Sequence, residues 1–171
     1  MDKVKLVSVL TQLPKQCIFF GPQGFNVYTD DAKLDSGQIG YSIDKNGHTL
    51  CGGSIGQWQV QWYVIAQDTE MGDPYFVDSS DDNLPVYTGF YGANGWQIEL
   101  VAVSIIGFIK CLETLFNKGQ QNEAVFVADE NTITCPEELN KLQQELEKSS
   151  ESKEFWVAFF ACYQDWLSED Y

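Results

Sequence analysis

A chain of 171 residues, 44% hydrophobic and 14% aromatic, has the length of one domain and enough apolar side chains to bury a core, which excludes wholesale disorder. Its 25 Asp and Glu stand against 10 Lys and no Arg, for a net charge of −15. Such a balance argues against DNA or RNA binding, which needs cations to displace counterions from phosphate, and against an anionic membrane surface, while it steers a basic protein toward the chain.

The opening MDKVKLVSVLTQLPK is too short and weakly apolar for a signal peptide. It reads as a short helix ending near Pro14 or, from its valines, as a strand. From Phe19 to Ala66 the composition is that of β-structure. Lys45-Asn46-Gly47 predicts a hairpin, because Asn-Gly accepts positive φ. Next, Trp58, Val60, Trp62 and Val64 alternate with Gln57, Gln59, Gln61 and Tyr63, the period of a half-buried strand. PYFVD predicts a short strand with Pro74 at its first position, where no ladder donor is required. PVYTGFYGANGWQIELVAV predicts a hairpin turning at Ala93-Asn94-Gly95.

The pattern then changes to helix. Ile105, Phe108, Ile109, Leu112, Leu115 and Phe116 recur at spacings of three and four, with Ser104 as N-cap and Gly119 as stop. Thr134-x-x-Glu137 reads as a capping box for CPEELNKLQQELEK. After the polar link KSSES, Ser152 is expected to cap a last helix with Phe155, Phe159, Cys162 and Trp166 on one face. Strands followed by helices predict an α+β fold over residues 1–171: an antiparallel or mixed sheet flanked by helices, with a C-terminal helical pair. The longest apolar run, LVAVSIIGFI, is about half of the ~18 residues that a membrane span requires. Cys17, Cys51, Cys111, Cys135 and Cys162 lie far apart with no CxxC pair, mostly beside apolar residues, so buried reduced thiols in a cytoplasmic protein are expected.

Few residue patterns here carry chemistry. The only histidine, His48, lies just past a predicted hairpin tip, a poor place for a catalytic base or a zinc ligand. CGGSIG lacks the GKS/T ending of a phosphate loop and reads as a turn or bulge. The acidity is local. Residues 66–82 hold six acids and no base, and residues 129–171 hold eleven against three lysines, whereas residues 1–65 balance at five each. The six are Asp68, Glu70, Asp73, Asp78, Asp81 and Asp82; their spacing does not match an EF-hand loop, and acid–base work would need a carboxyl raised by burial. They read as solvated turn residues or as a patch facing a partner, with Tyr87, Tyr91 and Trp96 as candidate aromatic anchors.

Three segments together resemble the SUKH superfamily. WYVIAQDTEMGDPYFVD resembles its strand–turn–strand, with a Gly-Asp-Pro turn and a strand ending in Asp; PVYTGFYGANGW resembles its next hairpin; and VAVSIIGFIKCL resembles its S-F-x-x-F-L helix start. The likeness spans residues 58–116, and residues 120–171 form a C-terminal helical extension with no match. Tyr91-Gly92 stands where the family often has His-Gly, and Ser104-Ile105 where it has Ser-Phe. The resemblance implies a non-enzymatic binding module without cofactor or metal. The superfamily includes bacterial immunity proteins that neutralise polymorphic or contact-dependent toxins, often nucleases or deaminases, and fungal cell-wall-synthesis regulators. An acidic immunity protein suits a basic toxin domain electrostatically. A regulatory scaffold is the alternative, followed by a carboxylate-based enzyme or a calcium-binding protein.

Overall fold

The computed structural model describes residues 2–169. The chain runs α1 (Lys3–Leu10), β1 (Cys17–Phe20), β2 (Gln23–Val27), α2 (Asp31–Ser36), β3 (Trp62–Asp68), β4 (Pro74–Asp78), β5 (Val86–Gly92), β6 (Gly95–Ala102), α3 (Ile105–Gly119), α4 (Pro136–Ser150) and α5 (Glu154–Glu169). This is the α+β arrangement of the sequence pattern, with its helices mostly after its strands. The strands form one sheet in the order β1 to β6. Every neighbouring pair is antiparallel, so the mixed option falls away. Parallel neighbours need a crossover of a dozen or more residues, and most links here are tight turns.

Strand alternation divides the apolar side chains between two faces. Phe25 and Tyr75 point to the side of α3 and α5, where Phe25 lies 6.1 Å from Phe108 and 5.7 Å from Phe159, and Tyr75 lies 5.9 Å from Phe108. On the other side, Phe76 lies 4.9 Å from Trp62 and 5.9 Å from Tyr87. That second face is covered by an irregular strap, residues 37–61, and not by a helix.

Three contacts fasten the strap. Gln38 is buried and its side-chain amide pairs with the Val64 backbone, donating to the carbonyl at 2.9 Å and accepting from the N–H at 3.0 Å. Trp58 drives its ring between Tyr41, Trp62, Phe76 and Trp96, at centroid distances of 4.8–5.4 Å. Trp96 N–H donates to Gly56 O at 2.8 Å. The backbones approach so closely there that a Cβ on Gly95 would fall 2.2 Å from that oxygen.

The strap corrects two expectations. The alternating run from Gln57 is not a strand until Trp62, and Val60 is 82% exposed. Its glutamines bond the strap itself instead of a ladder: Gln59 Nε2 donates to Ser54 O and Gln57 O, and Gln57 Oε1 accepts from Ser54 N–H. The Lys45-Asn46-Gly47 turn does form, with Gly47 at φ +82° and Asp44 Oδ1 accepting from Asn46 and His48 N–H. Its flanks make only isolated bridges, Ile39–Ile43 and Ile43–Thr49, so no hairpin results.

The helix ends follow the sequence in part. Asp2 caps α1, which settles the helix-or-strand choice, and Ser104 caps α3 through Gly107 N–H at 3.1 Å. Gly119 is the last residue of α3, and the left-handed stop is Gln120 at φ 51°. Gly119 has its own reason to be small, since a Cβ would sit 3.2 Å from the Phe20 ring. The Thr134 capping box does not form; Cys135 takes the N-cap position without a side-chain bond, and Pro136 opens the helix. Ser152 Oγ is spent on Leu100 O, tying the α4–α5 link to β6. Helix α2, capped by Asp30, was not foreseen. All five thiols are free, but only Cys111 is buried, while Cys135 and Cys162 are exposed.

Candidate protein-binding surface

The six clustered acids do not form one patch. Asp68 ends β3 and Glu70 and Asp73 lie in the β3–β4 turn, whereas Asp78 ends β4 and Asp81 and Asp82 lie in the β4–β5 loop. In an antiparallel meander these lie at opposite ends of the sheet. The five-residue β4, at ~3.4 Å per residue, puts them about 17 Å apart. The expected PYFVD strand accounts for this, since it carries the chain from one end of the sheet to the other between the two groups.

Most of these carboxylates also serve their own turns. Asp68 Oδ2 accepts from Glu70 and Met71 N–H, and Asp68 N–H donates to Asp73 O at 2.8 Å, closing the β3–β4 turn around Gly72 at φ +78°. Asp78 Oδ1 accepts from Ser80 N–H and Ser80 Oγ, and Asp81 Oδ1 from Asn83 N–H at 2.8 Å. Asp82 is exposed. No acid of the six has a cation within 4.0 Å among the described residues; the ion pairs there are Lys3 with Asp31 and Asp35, Lys33 with Asp30, and His48 with Asp44.

The aromatic residues have separate fates. Tyr87 is half-buried and stacks on Phe76. Trp96 is half-buried between Trp58 and Tyr41, and it holds the strap. Tyr91 is 72% exposed, edge-on to Trp96 at 5.7 Å. Tyr91 and Trp96 share the strap face because they are directly paired across the hairpin. The β5–β6 turn lies at the same end of the sheet as the β3–β4 turn, and Tyr41 links the two: its ring is 5.7 Å from Trp96 and its hydroxyl 3.5 Å from Gly72 O.

One end of the sheet therefore presents Asp68, Glu70 and Asp73 beside exposed Tyr91. Sequence reasoning missed the other apolar members. Met71 at the tip of the acidic turn is 82% exposed, and Ile55, next to the strap's Gly56 contact, is fully exposed. Ile98 is exposed on the same face, two residues on from Trp96. The signal available in the sequence was Met71 and Ile55 between turn residues, where no element buries them.

Burial, with like charge added to it, marks this end. Burial and then the neighbouring Asp68 carboxylate raise the Glu70 and Asp73 pKa values. Burial raises the Tyr75 hydroxyl well above the ordinary phenol, with Asp68, Asp73, Glu70 and Glu99 adding to it. At the opposite end Tyr87 is raised by burial, then by Asp78 and Asp81. There Asp81 and Asp82 border a groove of about 590 Å³ between α1 and the start of α3, with Leu6, Val9, Leu84 and Ile106. Among the described residues no three His, Cys, Asp or Glu side chains converge as a metal site requires. His48 is exposed, and among the described residues its ring pairs only with Asp44. No helix among the described residues is long and apolar enough to cross a membrane. No protein-family model matches the chain, and no curated protein or solved structure does either.

Proposed function

We propose that this chain is a non-enzymatic binding protein, an immunity protein that engages a basic toxin domain and blocks it sterically in the cytoplasm of the cell that makes both. The observation that carries the reading is the pairing of uncompensated carboxylates, Asp68, Glu70 and Asp73, with exposed Tyr91, Met71 and Ile55 at one end of the sheet. Apolar and aromatic anchors ringed by charge of one sign are what a complementary basic surface recognises. A net charge of −15 speeds encounter with such a partner. The SUKH resemblance supplies the toxin as the class of partner.

Co-expression with the product of the adjacent gene tests the reading. A stable complex whose affinity falls with ionic strength is expected, and failure to co-purify with any neighbouring toxin domain overturns it. The division of the acids sharpens the experiment. Asp73→Lys is expected to weaken the complex by tenfold or more, or ~1.4 kcal/mol, whereas Asp78→Lys at the far end leaves it within a factor of about two. The reverse ranking moves the interface to the α1–α3 groove.

A further inference from the structure

The acidic end of the sheet carries a second feature on the helix side. A cleft of about 180 Å³ opens where α5 crosses β2, β4 and β6. Phe155, Ala158 and Phe159 wall it, while Gln23, Asp68, Tyr75 and Glu99 supply its polar atoms.

The hydrogen-bonding capacity left over in this cleft is weighted toward acceptors. Tyr75 is only 5% exposed, and among the described residues its hydroxyl has no hydrogen-bond partner. No buried side-chain nitrogen or oxygen is sealed off without a partner there, so that hydroxyl opens on the cleft and not into closed core. Gln23 is buried and spends its Nε2 on Phe159 O at 3.1 Å, which leaves Oε1 to accept. Asp68 spends Oδ2 on its turn, leaving Oδ1 without a donor. Glu99 has neither an ion pair nor a side-chain hydrogen bond among the described residues, and burial followed by Glu154 raises its pKa. The unspent acceptors are thus two carboxylate sites, an amide oxygen and a phenol oxygen, against two unspent donors, the Tyr75 O–H and the second Gln23 N–H.

A ligand for such a set must bring several donors and positive charge. An alkylammonium brings three N–H donors and no acceptor. At ~30 Å³ per water-sized group, the cleft holds about six such groups, which suits four methylenes and a nitrogen. The Phe155 and Phe159 rings offer the methylenes an apolar wall, as long cationic side chains require.

We propose that this cleft is a lysine pocket: the ammonium of one partner lysine sits among Asp68, Glu99, Tyr75 and Gln23, with its stem along α5. The identity of the ligand rests on the binding reading above, but the test does not. n-Butylammonium chloride is titrated into the protein alone at constant ionic strength and followed by amide NMR, with n-butanol as the uncharged control. Saturating shifts at Gly24, Asp68 and Ala158 with a millimolar Kd are expected, and n-butanol should produce none. Glu99→Gln and Tyr75→Phe, which keep shape and packing, are each expected to weaken binding by about tenfold. Shifts that never saturate, an equal response to n-butanol, or two variants that bind as the parent does would overturn the pocket. Saturable ammonium binding without any toxin complex removes the immunity reading and leaves the pocket. A toxin complex formed by a protein deaf to butylammonium does the opposite.

Discussion

Trp58→Ala removes the plug that fastens the strap to the sheet. Trp58 is 2% exposed, and its ring meets Tyr41, Trp62, Phe76 and Trp96. A buried aromatic side chain withdraws about 150–250 Å² from water, worth about 4–6 kcal/mol at ~25 cal/mol per Å². Residual burial in the unfolded chain trims that to about 3–5 kcal/mol, the range seen for buried aromatic truncations generally. The indole N–H to Trp62 O at 3.3 Å is lost as well, but it is long and adds little. Against a typical stability of ~5–15 kcal/mol, the loss is large, and it corresponds to about 6–20 °C in Tm for a chain of this size. Urea denaturation measures the stability change, and hydrogen exchange locates it. Amides of residues 52–61 are expected to lose protection first, ahead of those in β4 and β5. A loss below about 1 kcal/mol, or protection lost uniformly across the sheet, would refute the role of Trp58 as the fastening of a separate strap.

Other outcomes follow from the same geometry. Gly95→Ala is expected to be clearly more destabilising than Gly72→Ala in a thermal melt: both have positive φ, but a Cβ at Gly95 also strikes Gly56 O, while one at Gly72 meets nothing within 4 Å. Glu70 and Asp73 have pKa values raised in the folded state, so each binds its proton more tightly there; their contribution to stability is greatest below the ordinary carboxylate range and declines as pH rises through the raised values. Glu70→Gln with Asp73→Asn should therefore raise stability at neutral pH, by less than about 1 kcal/mol given the partial solvation, seen as a higher Tm, and the gain should vanish at acidic pH. Thiol titration with a disulfide reagent should find Cys135 and Cys162 reactive in the native protein, and Cys111 silent until unfolding, since it is buried and its pKa is pushed up to about 12.

Where local pattern dictated structure, the sequence was readable. The β5–β6 hairpin turns at Ala93-Asn94-Gly95 as expected, with Gly95 supplying the positive φ that closes it, and α3 carries both its apolar stripe and its Ser104 cap in plain sequence. The start of β4 at Pro74 and the Gly-Asp-Pro turn were legible for the same reason. The strap was not. Its tryptophan and glutamine alternation mimics a strand, but Trp58 is buried as a plug and the glutamines bond locally, a distinction made by tertiary contacts and invisible to periodicity. The capping box at Thr134 failed for a related reason, because Pro136 set the first helical turn one residue later. Of the candidate surface, the turn acids and Tyr91 were identifiable, and the expected PYFVD strand already set Asp78, Asp81 and Asp82 apart from them. Tyr75, Gln23 and Glu99 come from three different strands and share a cleft only once the sheet is assembled.

The strap also bears on how such a scaffold can vary. Loop-closure entropy grows only as the logarithm of length, so doubling a flexible segment costs about 0.6 kcal/mol. The strap is anchored at Gln38 and at Gly56–Trp58, and between these lies chain of which only Tyr41 and Cys51 pack against the main core. That intervening stretch can lengthen, shorten or exchange its exposed side chains while the meander beneath stays fixed. Surface variation in the strap and the stability of the meander are thereby carried by different residues, which lets one change without endangering the other.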